Sequence, residues 1–153
     1  MPRHLIRRIR MLCRIFDMDE TRAYKYVLIF SRYQGRLLLS RHKNRDSWEA
    51  QGGHIEPGET PGQAARRELW EESGATAFTL TPVCGYWAAD NEQDPGANGA
   101  IYLAEITGLG PMPESEMAET RLFEKPPENT TYPWITGPLF QHLQELALWD
   151  AAQ

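Results

Sequence analysis

The chain has 153 residues, 41% hydrophobic and 24% charged, which suits one globular domain with one core, and its longest apolar run is too short to span a bilayer. Net charge is −5, and because five Arg and no acid fall in the first 14 residues, residues 15–153 carry −10 (11 basic, 21 acidic). A body that acidic excludes a broad nucleic-acid-binding surface, which must be basic, but not a phosphorylated ligand held through metal ions.

The opening "MPRHLIRRIRMLCR" lacks the apolar stretch of a secretory signal. "DMDE" follows directly, so residues 1–20 read as a basic-then-acidic extension or strand, with a short transit peptide as the alternative. Cys13 and Cys84 form no CxxC pair, which predicts free thiols in a cytoplasmic protein. "YKYVLIF" (Tyr24–Phe30) predicts a buried strand, "RYQG" a turn and "RLLLSR" (Arg36–Arg41) the returning hairpin strand. "HKNRDS" reads as a polar loop, and residues 52–59, with three Gly and one Pro, as a second loop. A helix from Pro61 to Ser73 has its start written out: Thr60 as N-cap, Pro61 in the first position and Gln63 closing a capping box. Gly74 fits the left-handed residue just past its end. "TLTPVCGYWAA" resumes β character, "DNEQDPGANG" is a loop and "AIYLAEI" a further strand. "GLGPMPESEMAET" reads as an acidic loop and "RLFEKP" as a short strand or turn. Leu139, Leu143 and Leu146, with Phe140 and Ala147, mark a C-terminal amphipathic helix. There is no internal repeat, and strands interleaved with two helices predict a mixed α/β or α+β fold.

"GGHIEPGETPGQAARRELWEESGA" (Gly52–Ala75) holds five of the 21 acidic residues. At about 100° per residue, Glu68, Glu71 and Glu72 share one helix face, while Ala65 and Leu69 form a separate apolar pair. A solvated acidic face is the plain alternative. Two features argue for a bound cation instead. The acids sit at the negative end of the helix dipole, where they are unfavourable. Arg67 can reach Glu71 across one turn but cannot neutralise all three. Hard divalent ions, Mg²⁺ or Mn²⁺, prefer carboxylate oxygens, and Gly52 and Gly53 would let backbone groups approach the same place.

The segment resembles the Nudix box: Gly, five residues, Glu, seven residues, then Arg-Glu-aliphatic-any-Glu-Glu-any-Gly-aliphatic. Here it reads Gly53, Glu59, Arg67-Glu68-Leu69-Trp70-Glu71-Glu72-Ser73-Gly74-Ala75. Seven fixed residues recur by chance on the order of 10⁻⁸ per start position, so the match is specific. Ala75 is smaller than the preferred aliphatic residue, and Gln51 stands where many members have Pro. The resemblance implies an α/β/α sandwich with a mixed sheet over residues 1–153, and hydrolysis of a nucleoside diphosphate linked to another group. It further implies Glu71 and Glu72 as metal ligands with the Gly53 carbonyl, Glu68 as a further ligand or the base that orients water, and Arg67 and Glu59 as supports.

Substrate choice is expected outside the box. Among Glu114, Glu116 and Glu119, Glu116 is favoured as an additional catalytic acid, against a solvated loop. Tyr86 and Trp87 are adjacent on a strand, so at most one lines a given face; Trp87 is taken as the base-stacking candidate. "PPENTTYP" resembles the stretch with which MutT-type enzymes read a purine, which makes Asn129 a base-reading candidate and a turn residue the alternative. Arg41 is a candidate phosphate contact. The reading is a MutT-like (deoxy)nucleoside triphosphate pyrophosphohydrolase acting on a small-molecule nucleotide, oxidised purines included. Nucleotide sugars, dinucleoside polyphosphates and RNA 5′ ends are alternatives, as is a non-catalytic nucleotide-binding module. A homodimer is left open.

Overall fold

A computed structural model describes residues 12–19, 21–89, 91 and 93–150. Arg3, Arg7, Arg8 and Arg10 of the basic opening lie outside the described residues. The element order is β1 (Leu12–Phe16), β2 (Tyr26–Tyr33), β3 (Arg36–His42), β4 (Trp48–Glu49), β5 (Gln51–His54), α1 (Pro61–Ser73), β6 (Ala75–Ala89), β7 (Ala97–Leu109), β8 (Met117–Phe123) and α2 (Pro133–Glu145).

The strands form a mixed sheet in the order β1-β6-β7-β2-β3-β4, with β5 on β2 and β8 on β3. β2 organises it. One edge pairs in parallel with β7 along its whole length, Tyr26↔Gly99 to Tyr33↔Ile106. The other edge is shared: Tyr26–Ile29 pair antiparallel with β5, and Ser31–Tyr33 pair with β3. The sheet therefore forks at residue 30.

Alternation along the strands builds two cores. Val27, Ile29 and Leu38 face Ala64, Ala65 and Leu69 of α1. Phe30, Leu37 and Leu39 face Leu139, Phe140 and Leu143 of α2. Helices on both faces of a mixed sheet make the α/β/α sandwich that was expected.

The helix limits show which signals were local. α1 starts and stops at the predicted residues. Thr60 Oγ1 accepts the Gln63 N–H and Gln63 Oε1 accepts the Thr60 N–H; Gly74 adopts φ 81°, and a Cβ there would stand 2.8 Å from the Gly110 carbonyl oxygen. α2 ends at Glu145, short of the apolar pattern. Ala147 turns to φ 57°, the Leu148 N–H returns to the Leu143 carbonyl, and Trp149 folds onto Phe140 with ring centroids 5.1 Å apart. Leu146 is left exposed. β5 replaces the expected loop at Gly52 and Gly53, and the acidic loop ends at Glu116, where β8 begins one residue later. Both cysteines are free.

Candidate active site

α1 presents its acids beside β5, and Arg67 stands at their centre. Its Nε and Nη2 donate to the two oxygens of Glu59 at 2.7 and 2.8 Å, its Nη1 to Glu68 Oε1 at 2.8 Å and to Glu71 Oε2 at 3.4 Å, and Nη2 also to the His54 carbonyl at 3.1 Å. Four groups thus hold one guanidinium. Arg67 holds the Glu59 carboxyl down to about 2, mainly through those hydrogen bonds, and the carboxylates in turn raise the Arg67 pKa.

Glu72 is the exception. It is 9% exposed, and among the described residues no Lys, Arg or His reaches it. Its Oε1 accepts the Gly52 N–H at 2.8 Å. Burial pushes the carboxyl up to about 8, against that hydrogen bond and with repulsion from Glu68, Glu49 and Glu116. Glu68 is also raised by burial, with Arg67 opposing. Beside it, Gly53 is required by space: a Cβ there would stand 2.5 Å from Glu68 Oε1.

Whether these groups suit a divalent ion follows from the donors. Among the described residues no three His, Cys, Asp or Glu side chains stand ready as a metal cluster, and the reason is visible: Glu68 and Glu71 are drawn onto Arg67. The donor set is nevertheless all oxygen, as hard cations require. It contains one buried carboxylate that no Lys, Arg or His among the described residues reaches, and Gly53 lets the Glu68 carboxylate lie close against the β5 backbone. Glu71, with its side chain 41% exposed, meets Arg67 only at 3.4 Å. The residues fit Mg²⁺ or Mn²⁺.

Glu72, Gly52 and Gly53 form part of the wall of a cavity of about 450 Å³, which Glu49, Glu116, His42 and Arg45 and the rings of Tyr26, Tyr86 and Tyr132 also line. A second cavity of about 280 Å³ shares Tyr26, Tyr86 and Tyr132 with it and adds Lys25 and Trp134. Acids and aromatic rings therefore border one continuous cleft.

The sequence candidates divide around this cleft. Glu116 borders it, with His42 Nε2 3.7 Å from its carboxylate. Trp87 does not: its Nε1 donates to the Pro95 carbonyl and Arg14 lies over its ring at 5.4 Å. Its neighbour Tyr86 faces the cleft instead. Asn129 is tied into a turn, its Nδ2 on the Asp46 carbonyl and its own carbonyl accepting the Trp48 N–H. Arg41 is off the wall too, paired with Glu119 at 2.9 Å and bonded to the Arg45 carbonyl at 3.0 Å. Sequence reasoning missed Tyr26, Glu49 and Tyr132, which reach the cleft from three separate segments. The one available signal was Glu49, an acid inside an apolar stretch just before the glycines.

The sequence of this chain matches the model of the NUDIX domain over residues 20–136. It is 35% identical over 116 residues to YtkD of Bacillus subtilis (strain 168), a provisionally named 8-oxo-dGTP diphosphatase, covering 74% of this chain and 70% of that protein. It is 42% identical over 60 residues to the RNA pyrophosphohydrolase of Psychrobacter sp. (strain PRwf-1), covering 39% of this chain but only 34% of that protein. The fold superposes on a mutant of the Bacillus subtilis pyrophosphohydrolase BsRppH with a TM-score of 0.74 at 27% identity, covering 89% and 90% of the two chains. With the box on α1 and β5, the two-faced sheet and these relatives, the chain belongs to the Nudix family and is a Nudix pyrophosphohydrolase.

Proposed function

We propose that the protein is a metal-dependent nucleoside triphosphate pyrophosphohydrolase that releases a nucleoside monophosphate and pyrophosphate, with purine nucleotides, oxidised ones included, as substrates. The observation that carries this reading is the buried Glu72, which no Lys, Arg or His among the described residues reaches, in the wall of a cleft that aromatic rings also border. Glu72, Glu71, Glu68 and the Gly53 carbonyl would hold Mg²⁺ or Mn²⁺. When bound, such an ion neutralises phosphate charge and lowers the pKa of the attacking water.

The chain's own residues supply the rest. Arg67 fixes Glu68 through Oε1, which leaves Oε2 to orient water and take its proton. Glu59 holds Arg67 in turn. Arg45 pairs with Glu49 at 3.2 Å, which leaves Glu72 and Glu116 as the acids of the cleft, so an anionic substrate enters with its metal rather than alone. The base lies between the rings of Tyr26, Tyr132 and Trp134. Tyr132 and Trp134 stand edge to face at 5.9 Å, and Tyr132 is 40% exposed, free to meet a flat ligand. Together the cavities have the volume of a nucleotide-sized site.

The 8-oxo-dGTP diphosphatase name of one relative supports the purine triphosphate. A second reading, removal of pyrophosphate from an RNA 5′ end, is favoured by the RNA pyrophosphohydrolase name of the other. Products from a panel of nucleoside triphosphates, nucleotide sugars and 5′-triphosphate RNA, with Mg²⁺, separate these. The proposal expects monophosphate plus pyrophosphate from purine triphosphates. Orthophosphate alone, or turnover confined to sugar-linked diphosphates, overturns it.

A further inference from the structure

Gln51 is fully buried and every polar atom of its side chain is used. Its Oε1 accepts the Ser31 hydroxyl at 2.7 Å; its Nε2 donates to the Leu38 carbonyl at 3.1 Å and to Ser40 Oγ at 2.9 Å. The amide orientation is fixed by chemistry, since the reverse would set its oxygen against the Leu38 carbonyl, acceptor on acceptor. Ser40 accepts from Gln51, so its own proton goes onward, to the main-chain carbonyl of Glu72 at 2.8 Å. That carbonyl belongs to the last turn of α1, which no helical N–H can reach. The next residue of β5, Gly52, donates its N–H to the Glu72 carboxylate. Residues 51 and 52 thus hold residue 72 at both its main chain and its side chain.

We propose that Gln51 and Ser40 are positioning residues: the relay from Gln51 through Ser40 fixes the last turn of α1, and with it the Glu72 carboxylate, for divalent-metal binding. The proposal rests on the metal-dependent reading above. Helix termination explains why the Glu72 carbonyl needs a donor, but not why that donor is anchored in the sheet through Gln51. Gly74 already donates to the Trp70 carbonyl and Ser73 to the Leu69 carbonyl. Apolar residues at 31, 40 and 51 would leave the Leu38 and Glu72 carbonyls without these donors, at a cost in stability. They would also lose the link between the sheet and residue 72.

Ser31 provides the matched control, because its hydroxyl bonds the same amide but makes no hydrogen bond to the helix. Calorimetric titration with Mn²⁺ is the test. Ser40→Ala is expected to bind Mn²⁺ about tenfold or more weakly, the range seen when a group that orients a metal ligand is removed. Ser31→Ala should stay within about twofold of wild type while losing a similar amount of Tm. Ser40→Thr keeps the hydroxyl and should restore most of the affinity. In kinetics, Ser40→Ala should raise the Mg²⁺ needed for half-maximal kcat and leave KM for the nucleotide at saturating Mg²⁺ unchanged. If Ser40→Ala does not fold, Gln51→Met enters the same titration, with about a fivefold or larger loss expected. Wild-type Mn²⁺ affinity in Ser40→Ala or Gln51→Met overturns the relay. Failure of the wild-type protein to bind Mn²⁺ overturns the metal reading beneath it as well.

Discussion

Glu72 is a carboxylate buried with repulsion from Glu68, Glu49 and Glu116, and among the described residues no Lys, Arg or His pairs with it. Such a group is held neutral unless a ligand compensates it. Its folded value of about 8 lies above the ordinary 4.5, so between those pH values the unfolded chain has released the proton and the folded chain has kept it. The contribution of this group to the stability of the metal-free protein is then fully present below about 4.5 and is lost as pH rises toward 8. Glu68, raised by burial, adds in the same direction, whereas Glu59, held near 2, acts with opposite sign only below 4.5. Thermal melts in chelator from pH 5 to 8 should show this decline. Glu72→Gln should flatten it, and Mg²⁺ should restore Tm at pH 8 in the wild type only. Glu71→Gln and Glu72→Gln should each raise the barrier to turnover by several kcal/mol. Gly53→Ala should lower kcat on the order of 100-fold with the fold intact, because its Cβ displaces the flexible Glu68 carboxylate and no backbone; unchanged kcat would show that Glu68 need not sit there.

Among the elements, α1 was legible to the residue because its limits are local: a reciprocal cap at Thr60 and Gln63 and a left-handed Gly74. Thr60→Ala should therefore cost about 1 kcal/mol in chemical denaturation, with a smaller effect on activity than the glutamate changes. β5 was not legible. Glycine has poor strand propensity, and what makes a strand of Gly52 and Gly53 is the ladder to Tyr26–Ile29, far away in sequence. The end of α2 was overrun for the opposite reason, since Leu146 and Ala147 continue the apolar spacing while the chain turns back to bury Trp149. Ala147 pays for that turn with a positive φ. Ala147→Gly should raise unfolding free energy by about 0.5–1 kcal/mol; a loss of stability would mean that the turn is not strained.

In the whole molecule, the fork at residue 30 sets β5 beside α1 and opens a cleft toward the start of α2. Strand and helix patterning gave a mixed α/β or α+β fold; the sandwich and the acidic part of the cleft came from the resemblance carried by the box. Its aromatic part did not, because Tyr26, Tyr86 and Tyr132 converge only through sheet pairing and the docking of α2. Adjacent strand residues alternate faces, so pattern alone could not decide between Tyr86 and Trp87; the β1–β6 pairing and the 93–96 turn, which cover Trp87, decide it. Tyr132→Ala should consequently raise KM for purine triphosphates severalfold, and Trp87→Ala should not.

The central claim is that the α1 carboxylates drive metal-dependent cleavage of a nucleoside triphosphate. It is tested most directly by comparing Mg²⁺-dependent pyrophosphate release from purine triphosphates by wild type and by Glu72→Gln, with matched melting curves. The account predicts turnover in the wild type that vanishes in chelator, and loss of at least about 100-fold in the folded variant. Equal turnover by the two proteins at saturating Mg²⁺, or release that persists in chelator, would contradict it.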